Sequence, residues 1–181
     1  MRKRINNFLL QTKLKGSTLL LGSFCILLLG SGCGIYSFRD ATIDYTKLKT
    51  IKIGFIDNKA RYVNPQLGGK LTDKIQSKIA SSTKLSRTNS DDASLLLSGT
   101  ITDYSVSTSA ISATQASSNR LTVSVDMTVR NTVENKTDNF TVTRNYDYSA
   151  NLQLQQAEVA LMDEIIRTLT DEIFNHLFSN W

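Results

Sequence analysis

The segment from Arg120 to Val133 constrains the possible folds of this 181-residue chain more than any other segment. Its odd positions are apolar and its even positions are polar, the apolar side chains being Leu121, Val123, Val125, Met127 and Val129. A period of two residues is typical of a β-strand with one buried face. The chain therefore contains a sheet, and a second layer must cover the apolar face of that sheet.

Three other segments have the composition of strands. Residues 50–56 alternate so that the buried face is expected to hold Ile51, Ile53 and Phe55. Residues 93–106 contain three successive leucines and many β-branched residues, which predicts a central strand. Residues 140–148 place one apolar row on a single side, namely Phe140, Val142, Tyr146 and Tyr148. Before this last strand, residues 134–139 (ENKTDN) have the composition of a hairpin turn.

Two amphipathic helices are predicted to supply the second layer. The first begins at Asn64 and Pro65, which suit a helix start, and ends near Ser81 with the stripe Leu67, Leu71, Ile75 and Ile79. The second runs from Leu152 to about Phe178, and its stripe is Leu154, Leu161, Ile165, Leu169, Ile173 and Leu177, widened by Val159, Met162, Ile166, Phe174 and Phe178. The predicted fold class is α/β (α+β), a two-layer sandwich of a mixed sheet of about four strands with two helices packed on one face, in the order β-α-β-β-β-α.

The N-terminus has the layout of a signal peptide. Five basic residues and no acidic residue precede Cys33, and residues 18–30 form a 13-residue uncharged run that is too short to span a bilayer as a helix. Because five of the 21 basic residues lie there, 16 basic and 16 acidic residues remain after Cys33. The folded part is therefore neutral, which argues against nucleic acid as a partner.

Cys33 follows the small residues Ser31 and Gly32, an arrangement similar to a bacterial lipobox, in which the cysteine sulfur receives a diacylglycerol. Gly30 departs from that pattern, since a branched aliphatic residue is usual there, and ordinary cleavage at a small residue also fits. Cys25 lies in the segment that cleavage would remove, so the mature chain would carry one thiol and no internal disulfide. The expected organisation is a signal peptide at 1–32, an acylated tether at 33–49 and one domain at 50–181, held to a membrane by the lipid on Cys33.

The face of the sheet away from the helices is expected to carry mostly Thr, Ser and Asn. From Ala93 to Asn119 the only charged residue is Asp103, and residues 105–119 are especially rich in Ser and Thr. One interpretation of residues 105–119 is a flexible, solvated hairpin loop. The other is a surface that fits a confined polar space such as the inside of an outer-membrane barrel. The sequence does not separate the two.

Residue patterns typical of catalysis or metal binding are absent from the sequence. His176 is the single histidine and is expected to be a half-exposed residue of the last helix. The chain has no CxxC pair, HExxH motif or phosphate-binding glycine loop. We therefore expect a binding or structural protein rather than an enzyme, with no catalytic residues, no metal and no cofactor beyond the covalent lipid.

The sequences GCGIYSF (32–38) and TIKIGFIDNKARYVNPQLGGKLTDKI (50–75), together with the long C-terminal helix, resemble the LptE family of lipopolysaccharide-assembly lipoproteins. The resemblance implies a two-layer α/β sandwich anchored in the outer membrane, facing the periplasm and a barrel lumen. It also implies two partners, an LptD-like outer-membrane β-barrel that the protein would plug and lipopolysaccharide. The alternative function is a periplasm-facing lipoprotein that binds a glycan or lipid without a barrel partner.

Four basic residues are candidates for contact with lipopolysaccharide, because cations near a β-hairpin can pair with lipid phosphates. They are Arg120, Arg130, Lys136 and Arg144. Arg144 differs from the others, since it lies in phase with the apolar row between Val142 and Tyr146. The alternative for each is an ordinary solvated surface charge.

Overall fold

A computed structural model of the chain describes residues 43–112 and 115–179. The predicted signal peptide and Cys33 lie outside the described residues. The described elements, in chain order, are β1 (Thr50–Asn58), α1 (Leu67–Ser82), β2 (Ser86–Arg87), β3 (Leu95–Ser112), β4 (Gln115–Asn131), β5 (Lys136–Ser149) and α2 (Leu154–Ser179). Neither described helix is long and apolar enough to cross a membrane.

The five strands form one mixed sheet in the order β2-β1-β3-β4-β5. β1 is parallel to both of its neighbours, whereas β3, β4 and β5 are successively antiparallel. The predicted two-layer α+β sandwich is confirmed. The additional strand is β2, which has only two residues and pairs with Thr50 and Ile51. So short a strand has no periodicity of its own from which it could be predicted.

Both helices pack on one face of the sheet, and their stripes meet the odd positions of β4. Leu121, Val123 and Val125 are completely buried there. α1 contributes its predicted stripe of Leu67, Leu71, Ile75 and Ile79, and α2 contributes Ile165, Leu169, Ile173 and Leu177. The predicted apolar row of β5 also faces this core, with Val142, Tyr146 and Tyr148 buried and Phe140 partly buried. Burial of these side chains is the main source of stability of the sandwich.

The predicted alternation of β1 is wrong at its end. Phe55 is 63% exposed, and Ile56 takes the buried position with an exposed fraction of 1%. The register with β3 shifts between Ile53 and Ile56, so a bulge inserts one residue and reverses the phase of the side chains. Gly54 lies inside this irregularity.

Two further details differ from the sequence predictions. Val159 does not widen the buried stripe of α2, because it is 83% exposed and the neighbouring Glu158 is buried instead. The turn between β4 and β5 is residues 132–135 rather than 134–139. It contains Asn135 with a φ of 51°, a conformation that Asn adopts more readily than most residues, and β5 begins directly after it at Lys136.

Residues 105–112 and 115–119 are β-strand and not a flexible loop. β3 and β4 continue as an antiparallel hairpin through this segment, with Ser107 opposite Arg120 and Ser112 opposite Gln115. β1 ends opposite Ile101 and β5 ends opposite Ser118, so the hairpin extends past both neighbouring strands. We call this part, residues 105–112 and 115–118, the hairpin extension. The side chains of residues 105–110 are exposed or partly exposed, which explains why this part of the sequence lacks apolar alternation.

Candidate functional site

The face of the sheet opposite the helices, which we call the open face, is polar along β4 and β5. β4 contributes its even-numbered residues from Arg120 to Arg130, and β5 contributes its odd-numbered residues from Thr137 to Asp147. The side chains on this face are exposed or partly exposed.

Five successive cross-strand pairs on the open face are joined by side-chain hydrogen bonds. Each pair is directly opposed in the β4–β5 register, and we call the set the polar ladder. The pairs are Arg120 with Asp147 (2.8 and 2.9 Å), Thr122 with Asn145 (2.9 Å), Ser124 with Thr143 (2.9 Å), Asp126 with Thr141 (2.7 Å) and Thr128 with Asn139 (2.8 Å). Each of these polar side chains therefore has a partner across the strands, while the amide nitrogens of Asn139 and Asn145 make no hydrogen bond to the described residues.

The phase of the strand pairing explains why these side chains can reach each other. The Ala150 amide donates to the Ser117 carbonyl, which makes this a hydrogen-bonded pair of the antiparallel ladder. Hydrogen-bonded and non-hydrogen-bonded pairs alternate, so the pairs of the polar ladder are all non-hydrogen-bonded. In such pairs the Cα atoms are about 4.5 Å apart and the side chains approach most closely.

The ion pair of the polar ladder lies at one end. Arg120 donates two parallel hydrogen bonds to Asp147, from Nε and from one terminal nitrogen. The hydrogen bond from Arg120 lowers the pKa of Asp147, and the hydrogen bond to Asp147 raises the pKa of Arg120. Both groups therefore stay ionised at neutral pH and cancel each other's charge. At the centre, Asp126 accepts its hydrogen bond from the Thr141 hydroxyl.

β3 contributes a second row to the open face, and this row differs from the polar ladder. Its side chains are Leu96, Ser98, Thr100, Asp103, Ser105 and Ser107. Ser105 donates to Asp103 at 3.0 Å, within the row itself. Ser98 and Ser107 are exposed, and no hydrogen bond joins their hydroxyls to a described side chain. The β3 row therefore carries hydroxyls that are not bonded to a described side chain, whereas each hydroxyl of the polar ladder has a partner across the strands.

The structure separates the four basic residues that the sequence suggested as lipid contacts. Arg120 and Arg130 both lie on the open face, at opposite ends of β4, about 33 Å apart at the usual rise per residue. Arg120 is paired with Asp147, whereas Arg130 forms no ion pair with any described residue. Lys136 is exposed at the start of β5. Arg144 lies on the helix side, where it pairs with Glu172 of α2.

Two other sequence predictions concern single residues. His176 is half-exposed on α2, as predicted, and its ring stacks on Phe140 with centroids 3.7 Å apart. Cys33 cannot be placed, because it lies outside the described residues.

A polar cluster on the helix side was missed by the sequence analysis. Glu158 is 7% exposed and accepts hydrogen bonds from Asn64 Nδ2 (3.0 Å) and the Tyr62 hydroxyl (3.3 Å). Tyr62 stacks on Tyr104, and burial, followed by the nearby Glu158, raises the pKa of Tyr104. The signal in the sequence is the spacing of Glu158, which falls four residues after Leu154 and three before Leu161 and thus on the buried stripe.

Comparison with known proteins first reveals distant structural neighbours. They include a hypothetical protein from Chlamydia trachomatis (12% identity, TM-score 0.49, covering 71% of this chain and 95% of that one). A putative neuraminyllactose-binding hemagglutinin homolog from Helicobacter pylori has 10% identity and a TM-score of 0.48, covering 72% and 86%. A minor lipoprotein from Acinetobacter baumannii has 15% identity and a TM-score of 0.41, covering 72% and 95%. These values are too low for any of the three to indicate a function.

None of the curated protein sequences compared with the chain matches it. A family model does match, over residues 48–177, which run from just before β1 almost to the end of α2. The model is LptE, described as lipopolysaccharide-assembly. Because the match includes most of the chain and every described strand, the predicted resemblance is confirmed, and the chain belongs to the LptE family of lipopolysaccharide-assembly proteins.

Proposed function

We propose that this protein is an outer-membrane lipoprotein that binds and plugs an LptD-type β-barrel and so assists lipopolysaccharide assembly at the cell surface. It acts by binding and not by catalysis. The lipid on Cys33 holds it to the membrane on the periplasmic side, and the open face lies against the inner wall of the barrel. The family match supports the role in lipopolysaccharide assembly, and the chemistry of the open face supports the barrel partner.

The observation that carries the proposal is the polar ladder. A polar group removed from water without a hydrogen bond costs about 1–3 kcal/mol in proteins. The five pairs of the polar ladder keep their hydrogen bonds when water is removed, because each side chain is bonded to its opposite neighbour. A polar barrel lumen is a space in which such a face can be enclosed.

The β3 row and the hairpin extension supply hydroxyl groups that can form direct hydrogen bonds to the barrel wall. Ser98, Thr100 and Ser107 have hydroxyls that can both donate to and accept from a polar wall. This region lacks Lys, Arg and Glu, so little charge must be desolvated when the wall approaches. We therefore place the direct hydrogen bonds to the barrel on β3 and the close-packed contact on the polar ladder.

Photocrosslinking from defined positions tests the barrel partner. A photoreactive amino acid at Ser98 or Ser105, both exposed on the open face, is expected to capture a large β-barrel protein in intact cells. The matched control is Arg167, which is exposed on the outer side of α2, and it should capture no barrel. Equal capture from both faces, or no capture from the open face, would contradict the proposal. Lipid or glycan captured instead of protein would favour the alternative lipoprotein without a barrel.

The lipid anchor is tested separately. Cys33→Ala should leave the domain folded and release it from the membrane, since the acyl chains supply about 0.8 kcal/mol of membrane affinity per buried methylene. The measurement is fractionation of cells that express the variant. An unprocessed precursor that stays in the membrane would show that the leader itself is the anchor.

A further inference from the structure

A cavity lies at the end of the domain where the described chain begins, and its volume is about 210 Å³. The segment before β1, the start of β3, the turn after β4 and the end of α2 contribute its apolar wall, with Leu48, Leu95, Val133 and Phe178 respectively. Three of these side chains, Leu48, Leu95 and Phe178, are buried. Since a cavity of roughly 150 Å³ with apolar walls can hold benzene, this one has room for a short stretch of hydrocarbon chain.

Asn131 brings to the cavity wall a polar group that has no protein partner. Its side chain is 2% exposed, and its Oδ1 accepts hydrogen bonds from the backbone amides of Val133 and Glu134, both at 3.1 Å. Its Nδ2 is shielded from solvent and makes no hydrogen bond to any described residue. Buried donors without an acceptor are unfavourable and rare in folded proteins, so this group points to a ligand that brings an acceptor.

The two bonds of Oδ1 also indicate how such a ligand would lie. They hold Asn131 directly beside the turn after β4, where Val133 and Glu134 are exposed. A ligand with its acceptor at Asn131 can place hydrocarbon against Leu95 and Phe178 and keep its remaining part outside the cavity. An acyl chain joined to a headgroup through a carbonyl has its groups in this order.

Charge at the mouth of the cavity favours a ligand without a net negative charge. The mouth carries Asp44, Lys47 and Glu134, all of them exposed, and Lys47 forms an ion pair with Asp44 at 3.9 Å. Hydrogen bonds from Thr46 lower the pKa of Asp44, which is therefore ionised at neutral pH. Two carboxylates face one ammonium group, so the carboxylate of a free fatty acid or an anionic headgroup would be repelled there.

The position of the cavity in the sequence indicates where the acyl chain comes from. Ile43, which lines the cavity, is only ten residues after Cys33. An extended chain of ten residues spans at most about 35 Å. A lipid on Cys33 would therefore keep the mouth of the cavity within that distance of the membrane surface, where phospholipid acyl chains are abundant.

We propose that this cavity binds one acyl chain of a zwitterionic membrane phospholipid, whose ester carbonyl accepts a hydrogen bond from Asn131 Nδ2. Such a contact gives the domain a second hold on the membrane and fixes its orientation there, which one covalent attachment does not do by itself. The choice of a membrane lipid rests on the proposed function, because that function includes the lipid anchor on Cys33.

Photolabelling of the full-length protein in phosphatidylcholine vesicles tests the site. A phosphatidylcholine probe with a photoreactive group in one ester-linked acyl chain should label peptides that contain Leu48, Leu95 or Phe178. Val133→Trp places a large ring at the mouth and should lower this labelling about fivefold. The matched control is Val159→Trp, another exposed valine, about 29 Å along α2 from Phe178, and labelling should stay within about twofold. Equal labelling of the two variants, or no labelling of the cavity, would overturn the proposal.

An ether-linked version of the probe tests the role of Asn131, since it lacks the carbonyl. The unmodified protein should label about fivefold less with the ether probe, the ratio expected from one ordinary hydrogen bond. Asn131→Asp keeps an acceptor for the amides of Val133 and Glu134 but removes the donor, so the two probes should label it equally. A loss of stability alone would not change this ratio. Equal labelling of the unmodified protein by both probes would overturn the hydrogen bond, whether or not Asn131→Asp folds.

Competition identifies the source of the acyl chain. Lipopolysaccharide also carries acyl chains on carbonyl linkages, and its displacement of the probe at trace concentration would assign the cavity to lipopolysaccharide and overturn the choice of phospholipid. A free fatty acid should compete at least fivefold less well than its methyl ester, because of the charge at the mouth. The vesicles contain no barrel, so failure of the cavity and failure of the barrel partner, which crosslinking from Ser98 tests, can be distinguished.

Discussion

The two edges of the sheet differ in how far other described residues cover them. At the β1 edge, β2 pairs with Thr50 and Ile51, and the start of α1 covers Ile56 so closely that a Cβ on Gly68 would lie 2.4 Å from the Ile56 carbonyl oxygen. The Thr72 hydroxyl accepts a hydrogen bond from the Ile56 amide and donates one to the Gly68 carbonyl. The outer edge of β5, which we call the β5 edge, consists of the backbone N–H and C=O groups that point away from β4, and it has no such cover among the described residues.

The difference shows that closing an edge requires specific residues. At the β1 edge these are a glycine where the backbones approach and a hydroxyl that satisfies the Ile56 amide. At the β5 edge, α2 contacts β5 through side chains on the helix side, such as Arg144 with Glu172. The backbone of β5 is therefore available for pairing, whereas the end of β1 is covered.

Proline substitution along β5 should have the largest effect and should depend on the parity of the position. Arg144→Pro removes an amide bonded to β4 and should lower the free energy of unfolding by about 3 kcal/mol or more. Thr143→Pro removes an amide that points to the free edge and should cost roughly 1 kcal/mol. Urea unfolding of the purified full chain measures both, and Arg144→Ala corrects for the lost side chain. Equal losses at the two positions would mean that the β5 edge is not free.

Alanine at the two adjacent glycines of α1 should separate the close approach at the β1 edge from helix propensity. Gly68→Ala should lower the free energy of unfolding by about 2 kcal/mol, because its Cβ would overlap the Ile56 carbonyl oxygen. At Gly69 the nearest atom to an added Cβ is 4.0 Å away, on Phe55. Gly69→Ala should therefore stabilise the protein by up to about 1 kcal/mol. If both substitutions lowered the free energy of unfolding, or both raised it, the proposed role of Gly68 would be refuted.

The hydroxyl that closes the β1 edge can be removed with little change in side-chain shape. Thr72→Val leaves the buried Ile56 amide without its partner and should cost about 1–2 kcal/mol in the free energy of unfolding. Thr72→Ser keeps the hydroxyl and should lose less than about 1 kcal/mol. Amide exchange at Ile56 provides a local measurement, since the amide should exchange faster in Thr72→Val only. Unchanged exchange would show that the hydroxyl is not needed to close the edge.

The smallest effect is expected from acid, at one exposed ion pair beside each edge. Hydrogen bonds from Arg120 and from Lys52 lower the pKa of Asp147 and of Asp91 in the folded state. Their stabilisation is therefore present above the unfolded pKa of about 3.9 and is lost as the pH falls through the lowered folded values. The difference in the free energy of unfolding between the unmodified chain and either Asp147→Asn or Asp91→Asn should therefore be smaller below about pH 4 than at neutral pH. A difference that grows on acidification would contradict the lowered pKa values.

The sequence predicted those elements in which one face is buried along the whole element. β4 alternates without interruption, and β5 alternates except at Arg144, because their helix side lies on the core from Leu121 to Val129 and from Phe140 to Tyr148. The helices were predicted for the same reason, through their stripes. The polar ladder itself was only partly predictable. The residue types of the open face were evident, but their direct bonding depends on the pairing phase of β4 and β5, which the sequence alone does not define.

The residues whose positions were predicted wrongly have local structural explanations. The bulge at Gly54 reversed the phase of Phe55 and Ile56, and an isolated glycine within a strand is the available signal for it. Residues 105–110 of the hairpin extension include no buried side chain, so an apolar alternation is not expected there. Glu158 replaces Val159 in the buried stripe because Tyr62 and Asn64, almost a hundred residues earlier, supply its hydrogen bonds.

The hydrogen bonds of the polar ladder also affect the entropy of association. A Thr or Asn side chain on an ordinary exposed strand samples several rotamers, and binding must select one of them at a cost of up to about 0.5–1.5 kcal/mol per side chain. Each side chain of the polar ladder is instead already restrained by its neighbour across the strands. The surface is thus pre-organised, and a partner that matches its shape would lose little conformational freedom in binding to it.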